Sequence, residues 1–273
     1  MRRSTTETFS SERAGWYIVK DGHTERRLVK SDETLLAIVD YLRDVDGAGV
    51  TEIASHLELA KSTVYDHLVT MCEYGFAVKR GQTYHLGLQF FSYGQYVRNQ
   101  FEIYDAAKPV VDRLVELTGE MVWLVAHENG RIMYLYGHAG DTDINANSLI
   151  GSWAYMHCNS AGKAILAHLG ESEVDEVIDR HGLPARTENT TTDPDALRAE
   201  LEQIREQGYA MNLGEDLEGI HAVAVPLLFD EEVQGALAIA GPAHRVTRDR
   251  CEEELSEQLF AARNDIELNL VYS

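Results

Sequence analysis

The chain has 273 residues, room for two modest domains or one large one, and its 44% hydrophobic content excludes wholesale disorder. No apolar run approaches the ~18–20 residues that span a bilayer, and no apolar segment follows Arg2 and Arg3 as in a signal peptide, so a cytoplasmic protein without membrane contact is expected. The net charge is −21, from 45 acidic and 24 basic side chains, only six of the latter being lysines.

So acidic a surface repels itself at low salt, and at molar salt the Debye length falls to ~3 Å and screens that repulsion. The acids are dispersed rather than blocked, which favours a halophilic protein over one with an acidic interaction tail. Residues 1–99 carry 12 basic and 13 acidic side chains, whereas residues 100–273 carry 12 and 32. The first part has been spared the acid, as a module that meets nucleic acid would be. Cys72, Cys158 and Cys251 stand far apart with no metal-type spacing, so neither a zinc site nor a disulfide framework is expected.

In chain order, residues 1–28 form an extension in which Trp16–Val19 and Arg27–Val29 flank the turn pair Asp21-Gly22; a small hairpin and a disordered arm fit equally well. A helix then starts at Ser31 or Asp32, with Leu35, Ile38 and Leu42 on one face, and stops at Asp46–Gly49. Thr51 caps a second, with Ile53, Ala54 and Leu57 inward. A third opens at Lys61-Ser62-Thr63 and buries Val64, Leu68 and Met71. Phe76–Val78 and Thr83–Leu86 then bracket the basic turn Lys79–Gln82. Helix, helix-turn-helix and β-wing within ~55 residues describe a DNA reader. The third helix would lie in the major groove. Lys61, Ser62 and Thr63 would hold phosphates, Tyr65, Asp66 and His67 would face bases, Arg80 would reach from the wing to a phosphate or the minor groove, and Thr51 is a further contact candidate.

Gly87–Phe101 reads as a connector helix with five aromatics on more than one face, which needs a partner and points to dimerisation. Beyond it, Ala106–Leu117 is amphipathic. Asn129-Gly130 joins strands Met121–Val125 and Arg131–Leu135 in a hairpin. Later strands are expected at Tyr209–Asn212, Ala222–Phe229 and Val233–Ala240, with helices at Ala161–Leu169, Glu173–Asp179, Pro194–Gln207 and Cys251–Leu268. That order gives an antiparallel sheet flanked by helices, a GAF-like α/β sensor domain, so the fold class is α+β. In the segment Met156–Lys163, Ser160 would cap a helix whose free N–H groups suit a small carboxylate. It is no P-loop, because His157 and Ala164 stand where Gly and Ser/Thr are required. His157, Cys158 and Ser160 are adjacent in sequence without a third group, so no catalytic residue, metal or cofactor is expected.

The chain resembles the IclR-type (isocitrate lyase regulator) family of transcription factors from about Val29 onward. The matching stretches are Val50–Ala54 with Lys61–Val64, then Tyr84–Gly87, then Met156-His157 with Ser160–Ala164. Gly208–Ala210 and Ala238–Pro242 complete them. With the acidic composition, the resemblance points to a haloarchaeal member. It implies a homodimer, or a dimer of dimers, on a palindromic operator in double-stranded DNA, controlled by a small metabolite from sugar, carboxylate or aromatic catabolism. The family's pocket would use backbone N–H groups at Ser160 and Ala161 and side chains at Asn212, Ala222, Ala238 and Ala240. Relatives often place an acid, a thiol and hydroxyls there. Asn212 and three alanines remove those anchors, so Trp123, Trp153, Tyr155 and His221 are further candidates for a roomier pocket.

The expected organisation is therefore an extension (1–28), a winged helix-turn-helix (29–88), a linker helix (89–103) and an effector-binding domain (104–273). The alternative is a ligand-sensing module whose winged helix docks proteins instead of DNA.

Overall fold

The computed structural model describes residues 28–138, 140 and 149–271. The expected hairpin in residues 16–29 lies outside them, save its last two positions.

Three helices, α1 (Lys30–Asp44), α2 (Val50–His56) and α3 (Lys61–Glu73), pack against a hairpin of β1 (Ala77–Arg80) and β2 (Thr83–Leu86). The apolar stripes read from sequence converge here: Ile38 and Leu42, Ile53 and Ala54, and Val64, Leu68 and Met71 close on Ala77 and Tyr84 in one buried cluster. Ala48 pairs with Tyr84 through both backbone hydrogen bonds, adding a third rung to the wing. The caps differ from expectation. Val29 and Gly49 precede α1 and α2, neither with a side-chain bond, so Ser31, Asp32 and Thr51 fall inside first turns. β1 runs on to Arg80, which leaves only Gly81 and Gln82 in the turn.

The connector is shorter than its aromatic run. Helix α4 covers Gln89–Arg98 and buries no residue, and the chain turns before α5 (Ile103–Thr118) begins. Phe90 and Tyr93 seat on Phe76 of the winged domain, at ring-centroid distances of 5.0 and 5.6 Å. Leu88, Phe91, Tyr96 and Val97 stay exposed. At the far end the Arg98 guanidinium lies 4.1 Å from the ring centre of Tyr104 on α5.

A six-stranded sheet follows, ordered β5-β4-β3-β8-β7-β6 and antiparallel throughout. Its strands are β3 (Met121–Glu128), β4 (Arg131–His138), β5 (Trp153–Tyr155), β6 (Ala210–Leu213), β7 (Ile220–Phe229) and β8 (Glu232–Pro242). Asn129 and Gly130, at φ 53° and 76°, make the β3–β4 turn, where two consecutive positive angles match the twist of a two-residue hairpin. Strand β5 was not expected. Its three residues are too few to show alternation, and pairing with β4 alone defines it.

Alternation along the central strands divides the sheet into two faces. Val122, Leu124, Val223, Val225, Leu237 and Ile239 meet α5 and the C-terminal helix α10 (Ser256–Val271). That helix follows the short α9 (Arg248–Arg250) and a π-helical turn at Cys251–Leu255. Met121, Trp123, Val125 and a field of alanines meet α6 (Ser160–Leu166), α7 (Glu171–His181) and α8 (Pro194–Gln207). All seven residues of α6 are buried, and the small side chains on both surfaces let helix and sheet approach closely.

Candidate functional site

Two surfaces carry polar chemistry. On α3, burying Val64, Leu68 and Met71 turns Lys61, Ser62, Tyr65, Asp66, Val69 and Thr70 outward, all exposed. Tyr65 is 50% exposed, while Thr63 and His67 flank the open face half-buried. Ala60 precedes the helix without a side-chain cap, so the N–H groups at Lys61–Thr63 keep their partial positive charge toward solvent. Thr51 is exposed on α2. At the wing Arg80 is exposed beside Gly81, and the Lys79 ammonium lies 5.3 Å from the ring centre of Tyr84. Val69 was not foreseen there, because it reads as core until the helix's register is known.

The second surface lies between the sheet and α6. Register places Trp123 opposite Ala238, Met121 opposite Ala240, Ala240 opposite Ala222 and Ala222 opposite Asn212, so these side chains share one face. Ala210, Ala224 and Ala236 on that face are 0% exposed, whereas Ala222, Ala238 and Ala240 keep 7%, 5% and 8%. All six alanines are buried, these three a little less completely. The Trp123 indole lies over Gly137, where a Cβ would come within 2.3 Å of the ring, and meets Tyr134 edge-on at 5.4 Å.

A polar rim encloses the patch at the start of α6. Asn159, not Ser160, caps the helix: its Oδ1 accepts from the Ala161 N–H at 3.1 Å, and its Nδ2 donates to the Tyr134 hydroxyl at 2.9 Å. Asn212 Oδ1 accepts from the Glu215 N–H at 2.7 Å, folding the β6–β7 turn back over its own strand. Lys163 is fully buried and donates to Glu200 and Glu215, both at 2.6 Å. Asp216, next in the turn, receives the Cys158 thiol at 3.9 Å and faces Arg186 Nε at 3.7 Å. Burial lifts the carboxyls of Glu215 and Asp216 above their ordinary range, partly offset by Lys163 and Arg186 respectively. Burial also pushes the Cys158 thiol far up and lowers the pKa of His157, whose ring lies 3.1 Å from the Pro184 carbonyl. A thiol and imidazole so disposed form no activated nucleophile.

Seven of the ten expected effector residues therefore come together: Ser160, Ala161, Asn212, Ala222, Ala238, Ala240 and Trp123. The other three do not join them. Trp153 and Tyr155 pair with Met133 and Arg131, which alternate to the opposite face, and the Arg131 guanidinium stacks on Tyr155 at 4.4 Å. His221 alternates away from Ala222, and its ring pairs with the Val246 carbonyl at 2.9 Å. Tyr134, Asn159 and Asp216 are rim residues that sequence reasoning missed. The pattern S/T/N-x-x before a helix hinted at Asn159, but nothing local marks the other two. Among the described residues no group of three or more His, Cys, Asp or Glu is placed to hold a metal ion.

A winged helix-turn-helix with an open third helix, joined to a helix-flanked antiparallel sheet, defines a helix-turn-helix transcriptional regulator with a sensor domain. Comparison with known proteins makes the class specific. Residues 34–81 match the IclR helix-turn-helix domain, and residues 95–268 match the bacterial transcriptional regulator IclR C-terminal family. The chain is 28% identical over 251 residues to "Probable HTH-type transcriptional regulator ArcR" of Halobacterium salinarum, covering 90% of this chain and 95% of that one. It is 30% identical to the HTH-type transcriptional regulator KdgR of Escherichia coli K12, over 86% and 90% of the two chains. The crystal structure of Thermotoga maritima IclR superposes with a TM-score of 0.73 at 30% identity, over 88% and 97%. The chain belongs to the IclR family of transcriptional regulators, ligand-controlled proteins with a helix-turn-helix and a C-terminal effector-binding domain.

Proposed function

We propose that this regulator acts as a homodimer, or a dimer of dimers, that reads a palindromic operator with α3 in the major groove and the wing beside it. The observation that carries this is the outward face of α3, with Lys61, Ser62, Tyr65 and Asp66 exposed beside the uncapped helix start. Lys61, Ser62, Thr63, Thr51 and Arg80 hold phosphates; Tyr65, Asp66 and His67 address bases. The exposed Leu88, just before α4, with Phe91 and Tyr96 on it, supplies the dimer contact, which spaces two recognition helices by about one DNA turn, ~34 Å. The division 1–28, 29–88, 89–103 and 104–273 follows from this reading, supported by the separate core around α1–α3.

A small effector sits against Trp123, Ala222, Ala238, Ala240 and Asn212, beside Ser160 and Ala161. It shifts the equilibrium between dimer states only as far as it binds one of them better. On this reading the protein performs no chemistry: its relatives are named regulators, and the Cys158 thiol beside His157 is held far from its reactive form. A cytoplasmic site of action fits a DNA reader among whose described helices none is long and apolar enough to cross a membrane. An electrophoretic shift with DNA from upstream of the gene tests the reading. Wild type should retard it, and Tyr65→Ala should not. A wild type that ignores this DNA and instead captures a protein partner would replace operator binding with docking.

A further inference from the structure

We infer that Asp66 is a specificity-determining residue that reads cytosine, its carboxylate accepting a hydrogen bond from the base's N4 amino group in the major groove. The inference rests on the reading of α3 as the DNA-facing helix given above. It starts from the register of that helix. Val64, Leu68 and Met71 are buried, and at ~100° per residue Ser62, Asp66 and Glu73 lie within about 30° of the line opposite that stripe. Tyr65 and His67 stand roughly 90° and 110° to the two sides of the same line. Glu73 ends the helix, ~10 Å beyond Asp66 along its axis. A recognition helix reads base edges with its N-terminal part. Ser62 and Asp66 are therefore the two side chains that α3 turns toward the groove floor.

Asp66 is exposed, and among the described residues its carboxylate has no hydrogen-bond or ion-pair partner. The Thr70 hydroxyl, one turn on, donates at 2.8 Å to the Asp66 carbonyl and is spent on the helix's own backbone. A carboxylate carried into the groove with no donor to meet it would stand against the phosphates as a like charge. Base edges supply the donors, and few of them suit it. An ionised carboxylate accepts and cannot donate. Guanine presents two acceptors, N7 and O6, and thymine presents O4 beside a methyl group, so both repel it. Adenine offers the N6 amino group but sets the N7 acceptor next to it. Cytosine alone offers an amino donor with no acceptor of its own on that edge. Ser62 both donates and accepts, so it selects no single base. The charge of Asp66 is what makes the choice.

Single base-pair substitution across the upstream DNA, with affinity of the full chain read by fluorescence anisotropy, tests this. At one position in each half-site wild type should require C·G and bind any other pair roughly tenfold or more weakly. Asp66→Ala is an exposed change that leaves the core of the winged domain untouched. It should reduce that penalty to about twofold or less and keep the penalties at all other positions. The rival account makes Asp66 one more solvated acid of an acidic chain. Its removal would then lift a repulsion and tighten binding to every sequence alike. All penalties remaining as in wild type would therefore overturn the inference while leaving DNA reading intact. So would a penalty erased by Asp66→Ala at a position where wild type prefers a base other than cytosine. Should wild type bind none of these duplexes, the DNA-reading proposal falls and this inference with it.

Discussion

Trp123 holds its place because residue 137 has no Cβ: the indole edge and the Val122 carbonyl both lie 2.3 Å from where one would be. Gly137→Ala therefore forces ring or strand to shift, and should cost about 1–3 kcal/mol by chemical denaturation, the range for overfilled sites. His157 gives a pH signature. Burial is the main cause of its lowered pKa, with the Pro184 carbonyl and Asp216 opposing. The unfolded chain binds a proton near the ordinary value of 6.5 that the native ring refuses. Its contribution is thus intact above that pH and lost as pH falls through and below it. The fall in Tm between pH 7.5 and 5.5 should be shallower in His157→Gln than in wild type, and parallel curves would show that His157 is not the group responsible. At this scale sequence reasoning named Trp123 and the alanines, and strand register puts them on one face of the sheet. It also named Trp153, Tyr155 and His221, which face the other way: His221 alternates from its neighbour Ala222, and the facing of Trp153 and Tyr155 follows from pairing with Met133 and Arg131, which no local signal shows.

Among the elements, α6 is held by an ion cluster rather than by its length. Lys163 joins it to Glu200 on α8 and to Glu215 in the turn after β6. Lys163→Met would leave two carboxylates facing each other without their cation, and should cost about 3 kcal/mol, the lower end for breaking a buried pair because Glu200 is 30% exposed. A change below about 0.5 kcal/mol would place the cluster among surface pairs. For α4 the exposed aromatics define the test. Phe91→Ser with Tyr96→Ser should move the protein toward the monomer in sedimentation equilibrium, and an unchanged dimer would put the contact elsewhere. Element type was legible nearly throughout because the stripes Ile38/Leu42 and Val64/Leu68/Met71 and the turn Asn129-Gly130 are strong local signals. Caps were less legible: Ser31, Asp32, Thr51 and Ser160 all have capping chemistry, yet the backbone chose a neighbour in each case. The end of α4 was hidden because the aromatic run crosses the break into α5.

For the whole molecule, the acidity is concentrated beyond residue 99, while the DNA-facing module is close to neutral. Self-repulsion of this kind is screened by salt, so Tm by calorimetry should rise between 0.1 and 2 M KCl; a flat or falling curve would remove the halophilic reading. An interface with so few cations releases few counterions, so in the proposed complex specificity leans on hydrogen bonds, shape and apolar contact. The central claim is that α3 and the wing meet DNA directly, and the salt dependence of operator affinity tests it most directly. Fluorescence anisotropy with the upstream DNA should show weaker binding for Lys61→Ala and for Arg80→Ala. Each should also flatten the plot of log affinity against log salt by about 0.9, one phosphate's share. Wild-type affinity and slope in both variants would contradict the account.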